Sequence, residues 1–176
     1  MKHYTYTVQG NIKSTAVQTI YNDEKVAVAT VERVYDNGLK KLLDSYFDYR
    51  YFLKYTVRDL QGEPQFTVKK IFRRGKVWFE GTTPETKEKY IISYENWRIG
   101  VPELFISGRG MKMKIEKQME GWSEFYLDDA RVARWQAEYD EVADEFNMTL
   151  QIDEERAMQD VAFFTAIAQA TLFIGV

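Results

Sequence analysis

A chain of 176 residues that is 45% hydrophobic, 15% aromatic and 29% charged is long enough to bury roughly 70% of the surface its unfolded form exposes, so one packed core is expected and disorder is not. It contains no cysteine, which excludes a disulfide framework, a thiolate metal site, a cysteine nucleophile and S-acylation, and fits a reducing, cytoplasmic setting. The net charge of −3 hides a division, because beyond residue 119 only Arg131, Arg134 and Arg156 stand against thirteen acids. That division reads as charge complementarity between neighbouring strands, and nucleic acid is not an expected partner.

The opening residues have no apolar run, so neither a signal nor a transit peptide is expected, and Tyr4, Tyr6 and Val8 begin a period-two alternation. Residues 26–35 follow as a β-branched run. Residues 39–47 read either as a short helix or as a strand with its connection. Tyr49, Tyr51, Leu53, Tyr55 and Val57 then take every second position, with Arg50, Lys54, Thr56 and Arg58 between them, the pattern of a half-buried strand. Residues 66–72 and 90–94 are further strand-length runs, and Met111, Met113 and Ile115 alternate with Lys112, Lys114 and Glu116.

Turn signals separate these runs at meander spacing: Asn22-Asp23, Asp36-Asn37-Gly38, Gln61 to Pro64, Arg73-Arg74-Gly75-Lys76, Gly108-Arg109-Gly110, Glu120-Gly121 and Asp128-Asp129. Residues 130–146 fit two periods. Val132, Trp135, Tyr139, Val142 and Phe146 recur at helical spacing, whereas Ala133, Trp135, Ala137 and Tyr139 alternate with Arg134, Gln136 and Glu138. A strand is favoured; a helix outside an α+β sheet is the alternative.

Residues 161–176 are apolar at twelve of sixteen positions, interrupted only by Thr165, Gln169, Thr171 and Gly175. With Asp153 as N-cap and Glu154, Glu155 and Asp160 complementing the dipole, a helix is predicted from about residue 154 to 174. A helix with no polar face must be buried. Sixteen residues rise only ~24 Å, short of a bilayer core, so burial in protein is expected and a membrane span is not. An alternating sheet followed by one such helix resolves as a single domain: a mainly β, closed antiparallel barrel, strands about 3–152, around the C-terminal helix, which also removes exposed edges.

The Asp128-Asp129 turn, the stretch Arg131-Val132-Ala133-Arg134-Trp135, the extended residues 146–152 and the final AMQDVAFFTAIAQATLFIGV resemble the tubby C-terminal-like superfamily, which includes tubby-like proteins, phospholipid scramblases and plant LURP-one-related proteins. The likeness is nearest to small bacterial members and follows element order over almost the whole chain. It implies a barrel of about twelve strands around a central helix. In tubby-like proteins basic residues of the barrel wall bind phosphoinositides; no residue of that motif is carried over here. Scramblase membrane attachment uses acylated cysteines, which this chain lacks.

One charge cluster points to a ligand: Lys69, Lys70, Arg73, Arg74 and Lys76 lie around a hairpin at Gly75 with no acid among them, a set able to grip phosphate oxygens or to keep a turn solvated. His3 is the only histidine, which removes His-based metal and triad chemistry. The acidic pairs Asp128-Asp129, Asp140-Glu141, Asp144-Glu145 and Glu154-Glu155 lack calcium-loop spacing, and Gly108-Arg109-Gly110 lacks a phosphate-loop continuation. Trp78, Trp97, Trp122 and Trp135 read as core and barrel-end plugs. No metal or cofactor is expected.

A barrel filled by a helix leaves only its outer wall or rim for a site. The expected function is a non-catalytic binding or regulatory module for an anionic ligand or lipid headgroup. The alternatives are a carboxylate-based enzyme at a barrel rim and a homo-oligomeric or partner-binding protein.

Overall fold

The structure, a computed structural model, describes residues 1–95, 103–153 and 160–174. Twelve strands form a closed antiparallel barrel: β1 (Lys2–Gln9), β2 (Gln18–Asn22), β3 (Ala27–Arg33), β4 (Lys54–Arg58), β5 (Pro64–Arg73), β6 (Lys76–Thr83), β7 (Glu88–Glu95), β8 (Glu103–Gly108), β9 (Met111–Glu116), β10 (Ser123–Leu127), β11 (Ala130–Asp140) and β12 (Glu145–Ile152). Each strand pairs with its sequence neighbours, and β1 closes the ring against β12 in register from Lys2 opposite Ile152 to Gln9 opposite Glu145. Closure leaves no free sheet edge.

Among the described residues two helices accompany the barrel: α1 (Gly38–Ser45) between β3 and β4, and α2 (Val161–Thr171) at the C-terminal side. Residues 39–47 thus take the helical option, while residues 130–146 take the strand option, as β11, a turn and the start of β12. Tight left-handed turns at Arg74-Gly75, Arg109-Gly110 and Asp128-Asp129 fold successive hairpins, matching the right-handed strand twist.

Two expectations are corrected. The alternation from Tyr49 onward produces a strand only from Lys54. Asp48 and Tyr49 take φ of 52° and 58°, and the amides of Tyr51 and Phe52 donate to Asp44 Oδ1 at 3.0 and 2.9 Å instead of joining a ladder. The described helix α2 begins at Val161 and is capped by Asp160, where the sequence offered Asp153, and the expected start near residue 154 lies outside the described residues. Asp160 Oδ1 accepts the amides of Ala162 and Phe163 at 2.9 and 3.2 Å, satisfying donors that a helix start leaves open. Glu154 and Glu155 lie outside the described residues, as does Trp97.

Every residue of α2 from Ala162 to Thr171 is buried. Its rings meet strands spread round the barrel: Phe163 contacts Phe66 of β5 and Tyr90 of β7 at 5.1 and 5.2 Å between centroids, and Phe164 contacts Phe125 of β10 at 4.9 Å. Just past the helix, Phe173 meets Phe146 of β12 at 6.0 Å. Alternate residues of the strands, among them Ile20, Val57, Val68, Ile92, Leu104 and Ile115, complete the core. The remaining tryptophans divide: Trp135 is in the core, whereas Trp78 and Trp122 are half-buried, Trp122 under the Arg134 guanidinium at 4.2 Å.

Candidate functional site

The segment between β3 and β4 is built from its one buried helical residue outward. Asn37 caps α1, its Oδ1 accepting the Lys40 amide at 2.9 Å. Asp44 is the only buried residue of α1. Its carboxylate accepts from Arg33 Nη2 at 2.5 Å and from the Tyr35 hydroxyl at 2.7 Å, besides the two loop amides. Arg33 also donates to the carbonyls of Tyr49 and Ile12. Burial and the hydrogen bond to Asp44 push the Tyr35 hydroxyl above its ordinary range, so it remains a donor at any physiological pH.

This anchoring inverts the usual amphipathic arrangement. A surface helix ordinarily turns its apolar stripe to the core; α1 turns a carboxylate inward and leaves Leu39, Leu42 and Leu43 exposed. The following turn exposes Tyr46 and Phe47 as well. Phe47 stacks on Tyr51 at 5.3 Å, and Tyr51 in turn meets Phe72 of β5 at 5.4 Å. Through these rings α1 and its return loop adjoin the β5–β6 hairpin.

The five cations expected at that hairpin do not all face one way. Arg73, Arg74 and Lys76 are exposed at its tip, and among the described residues no ion pair engages them. Lys70 is in phase with the buried Phe66 and Val68, and its Nζ donates to the Arg50 carbonyl at 2.7 Å. Burial, with Arg50 nearby, lowers its pKa. Lys69 points to the opposite side of β5, where it joins Lys40 and Lys54 on the carboxylate of Asp36 at 3.2, 2.5 and 2.8 Å. Those donors, Lys40 first, hold the Asp36 carboxyl well below the usual carboxylate range.

Beside the hairpin an open groove of about 840 Å³ is lined by Lys70, Lys76, Trp78, Glu80, Ile91 and Tyr94. Trp78 Nε1 donates to Glu80 at 3.3 Å, and burial pushes the Tyr94 hydroxyl up to about 12. A second, tighter cavity under Arg33, Asn11 and Gln169 offers about 20 Å³, room for little more than a water.

The residues that the sequence did not single out are Lys40, Lys41, Lys54 and the exposed apolar side chains of α1. Their signal was present as Leu39, Leu42 and Leu43 at one-turn spacing with Lys40-Lys41 between them, but a helix was only one of two readings there.

A carboxyl acting as general acid needs a pKa raised toward neutral pH. Among the described residues the carboxylates whose ionisation is shifted, Asp36 and Glu124, both move the other way, each held ionised by hydrogen-bonding partners. Among the described residues no three His, Asp or Glu side chains are grouped to hold a metal ion, and no helix is long and apolar enough to cross a membrane. His3 sits half-buried on β1.

A family model described as the Tubby C-terminal like domain matches residues 4–174. No curated protein and no solved structure matches the chain.

Proposed function

The chain belongs to the Tubby C-terminal like domain family, and on that premise we propose that it is a binding module rather than an enzyme, taking an anionic, phosphate-bearing ligand at the β5–β6 hairpin. The observation that carries this reading is the trio Arg73, Arg74 and Lys76, exposed at one tip and free of ion pairs among the described residues. Lys76 lines the groove together with Lys70 and Trp78, Arg73 and Arg74 adjoin it in the chain at the same hairpin tip, and guanidinium forks suit phosphate oxygens. The burial of α2 on every side supports a filled lumen, which confines a ligand to the outside of the barrel.

Lys69 belongs to the Asp36 cluster and drops out of the site. Lys70 contributes from the base, and burial lowers its pKa, so it gives up its charge earlier than an ordinary lysine as pH rises.

Titration with inorganic phosphate and with a soluble inositol phosphate, followed by NMR of the arginine Nε resonances, tests the reading. Shifts confined to Arg73 and Arg74, abolished in R73E/R74E, are expected. Saturable binding that survives R73E/R74E, or none by either anion at low salt, overturns it.

A further inference from the structure

The charge division along the sequence becomes a division across one rim of the barrel. In an antiparallel meander every connection from an odd strand to the next even one lies at the same end, so the β5–β6 and β11–β12 hairpins share a rim. Half the ring of twelve strands separates them in either direction, which places them on opposite sides of that rim. The first tip is basic, with Arg73, Arg74 and Lys76; the second is acidic, with Asp140, Glu141, Asp144 and Glu145.

Each hairpin ends on a like-charged pair. Arg73 stands opposite Lys76, and Asp140 stands opposite Glu145. Like charges directly opposed in a ladder are destabilising, and among the described residues no ion pair relieves either tip. Both tips also carry uncovered apolar side chains. Val142 is 99% exposed at the acidic tip, and Leu42, Tyr46 and Phe72 are exposed beside the basic one. The turn presenting Val142 is fixed, since Asp140 Oδ1 accepts the amides of Val142 and Ala143 at 2.9 and 3.1 Å.

A rim that is positive on one side and negative on the opposite side is complementary to itself. A two-fold axis lying in the plane of the rim, midway between the tips, stacks rim on rim and brings the basic tip of each copy to the acidic tip of the other. We propose that this rim is the interface of a two-fold dimer of the chain. The cations of one tip neutralise the like-charged acids of the other, and Val142 of each copy seats against the exposed side chains of α1 and Phe72 in its partner. The contact is made twice, so association closes at two chains. Charge complementarity of this kind fixes the register and speeds encounter, while the apolar contacts hold the pair together.

The test is sedimentation velocity of the full chain over a concentration series, at low and high salt. A species of two chains that salt dissociates is expected. E141K/E145K makes both tips of a chain basic and R73E/R74E makes both acidic, so each variant alone is monomeric where the wild type is dimeric. Mixed in equal amounts the two variants pair, because every contact again joins opposite charges. V142S leaves the charges in place and weakens dimerisation by about tenfold or more, since two buried valines are lost. All the substituted side chains lie at the tips, and a melting temperature near that of the wild type verifies that each variant folds.

A wild type that stays monomeric at every concentration, with the inorganic phosphate shifts of Arg73 and Arg74 intact, overturns the dimer and leaves the anion site standing. A dimer with the phosphate shifts absent removes the anion site and leaves the dimer. Dimerisation that both charge variants retain places the contact elsewhere and overturns the rim as the interface. Failure of the mixed variants to pair overturns the meeting of opposite tips, and masses that keep growing with concentration replace the closed pair by an open head-to-tail chain.

Discussion

Arg33 of β3 and Asp44 of α1 meet at 2.5 Å between Nη2 and Oδ2, with side chains 1% and 0% exposed. The pair joins the barrel to the segment that leaves it, since Arg33 also reaches the Ile12 and Tyr49 carbonyls and Asp44 also receives the Tyr51 and Phe52 amides. Removing one partner leaves the other charge buried and alone. D44A is therefore expected to cost about 3–5 kcal/mol in urea unfolding, with α1 opened to proteolysis at Lys40 and Lys41. R33M/D44L recovers only part of that loss, because the two loop amides still lack an acceptor. A D44A midpoint equal to that of the wild type contradicts this account.

Asp36 gathers three lysines, and its depressed pKa sets a direction for pH dependence. A carboxylate held below its ordinary value of 3.8 contributes stability that is complete above that value and is lost as pH falls through and below it. The acid limb of a melting-temperature profile should flatten in D36N relative to wild type. At neutral pH the same change releases Lys40, Lys54 and Lys69, so the barrel end becomes more positive and inorganic phosphate is expected to bind more tightly there. An unchanged acid limb in D36N would show that another group governs it.

Gly81 of β6 lies directly beneath a ring. A Cβ built there would sit 2.7 Å from Phe66 Cζ, and Phe66 packs on Tyr90 and on Phe163 of α2. The Phe66 ring cannot retreat without displacing the α2 contact. G81A is expected to destabilise by about 1–3 kcal/mol, the cost of overpacking a dense core, and G81A/F66L to recover much of it. Calorimetry of both variants checks this, and a wild-type melting temperature for G81A would mean that the ring has room to move.

The barrel was legible in the sequence because period-two alternation and turn residues act locally and agree with one another. Met111, Met113 and Ile115 read as a strand and are one; Arg74-Gly75 read as a turn and takes left-handed φ. The segment from Leu39 to Leu53 was not legible for a physical reason. Its conformation is imposed by Arg33, distant in sequence, which draws Asp44 inward and makes the Tyr51 and Phe52 amides donate to a side chain rather than to a neighbouring strand. Alternation of Tyr49, Tyr51 and Leu53 cannot report that competition. The hairpin was half legible. Five cations stand out in one dimension, but β-pleating sends Lys69 to Asp36 and Lys70 to Arg50, leaving Arg73, Arg74 and Lys76 at the tip.

The start of α2 separates two acids that composition alone treats alike. Asp153 follows β12, and its amide donates to the Val132 carbonyl at 3.0 Å, so its backbone is held by the barrel. Asp160 has extended backbone angles of −88° and 104° and turns its carboxylate over the first helical amides. Because the residues after it are apolar, only a side chain of this kind can satisfy those donors beside a buried first turn. D160A is expected to lose about 0.5–2 kcal/mol, whereas D160N, which keeps the accepting oxygen, loses less. Urea unfolding of the two variants side by side decides the point, and a D160N loss as large as that of D160A would place the effect in the charge at the helix dipole rather than in the cap.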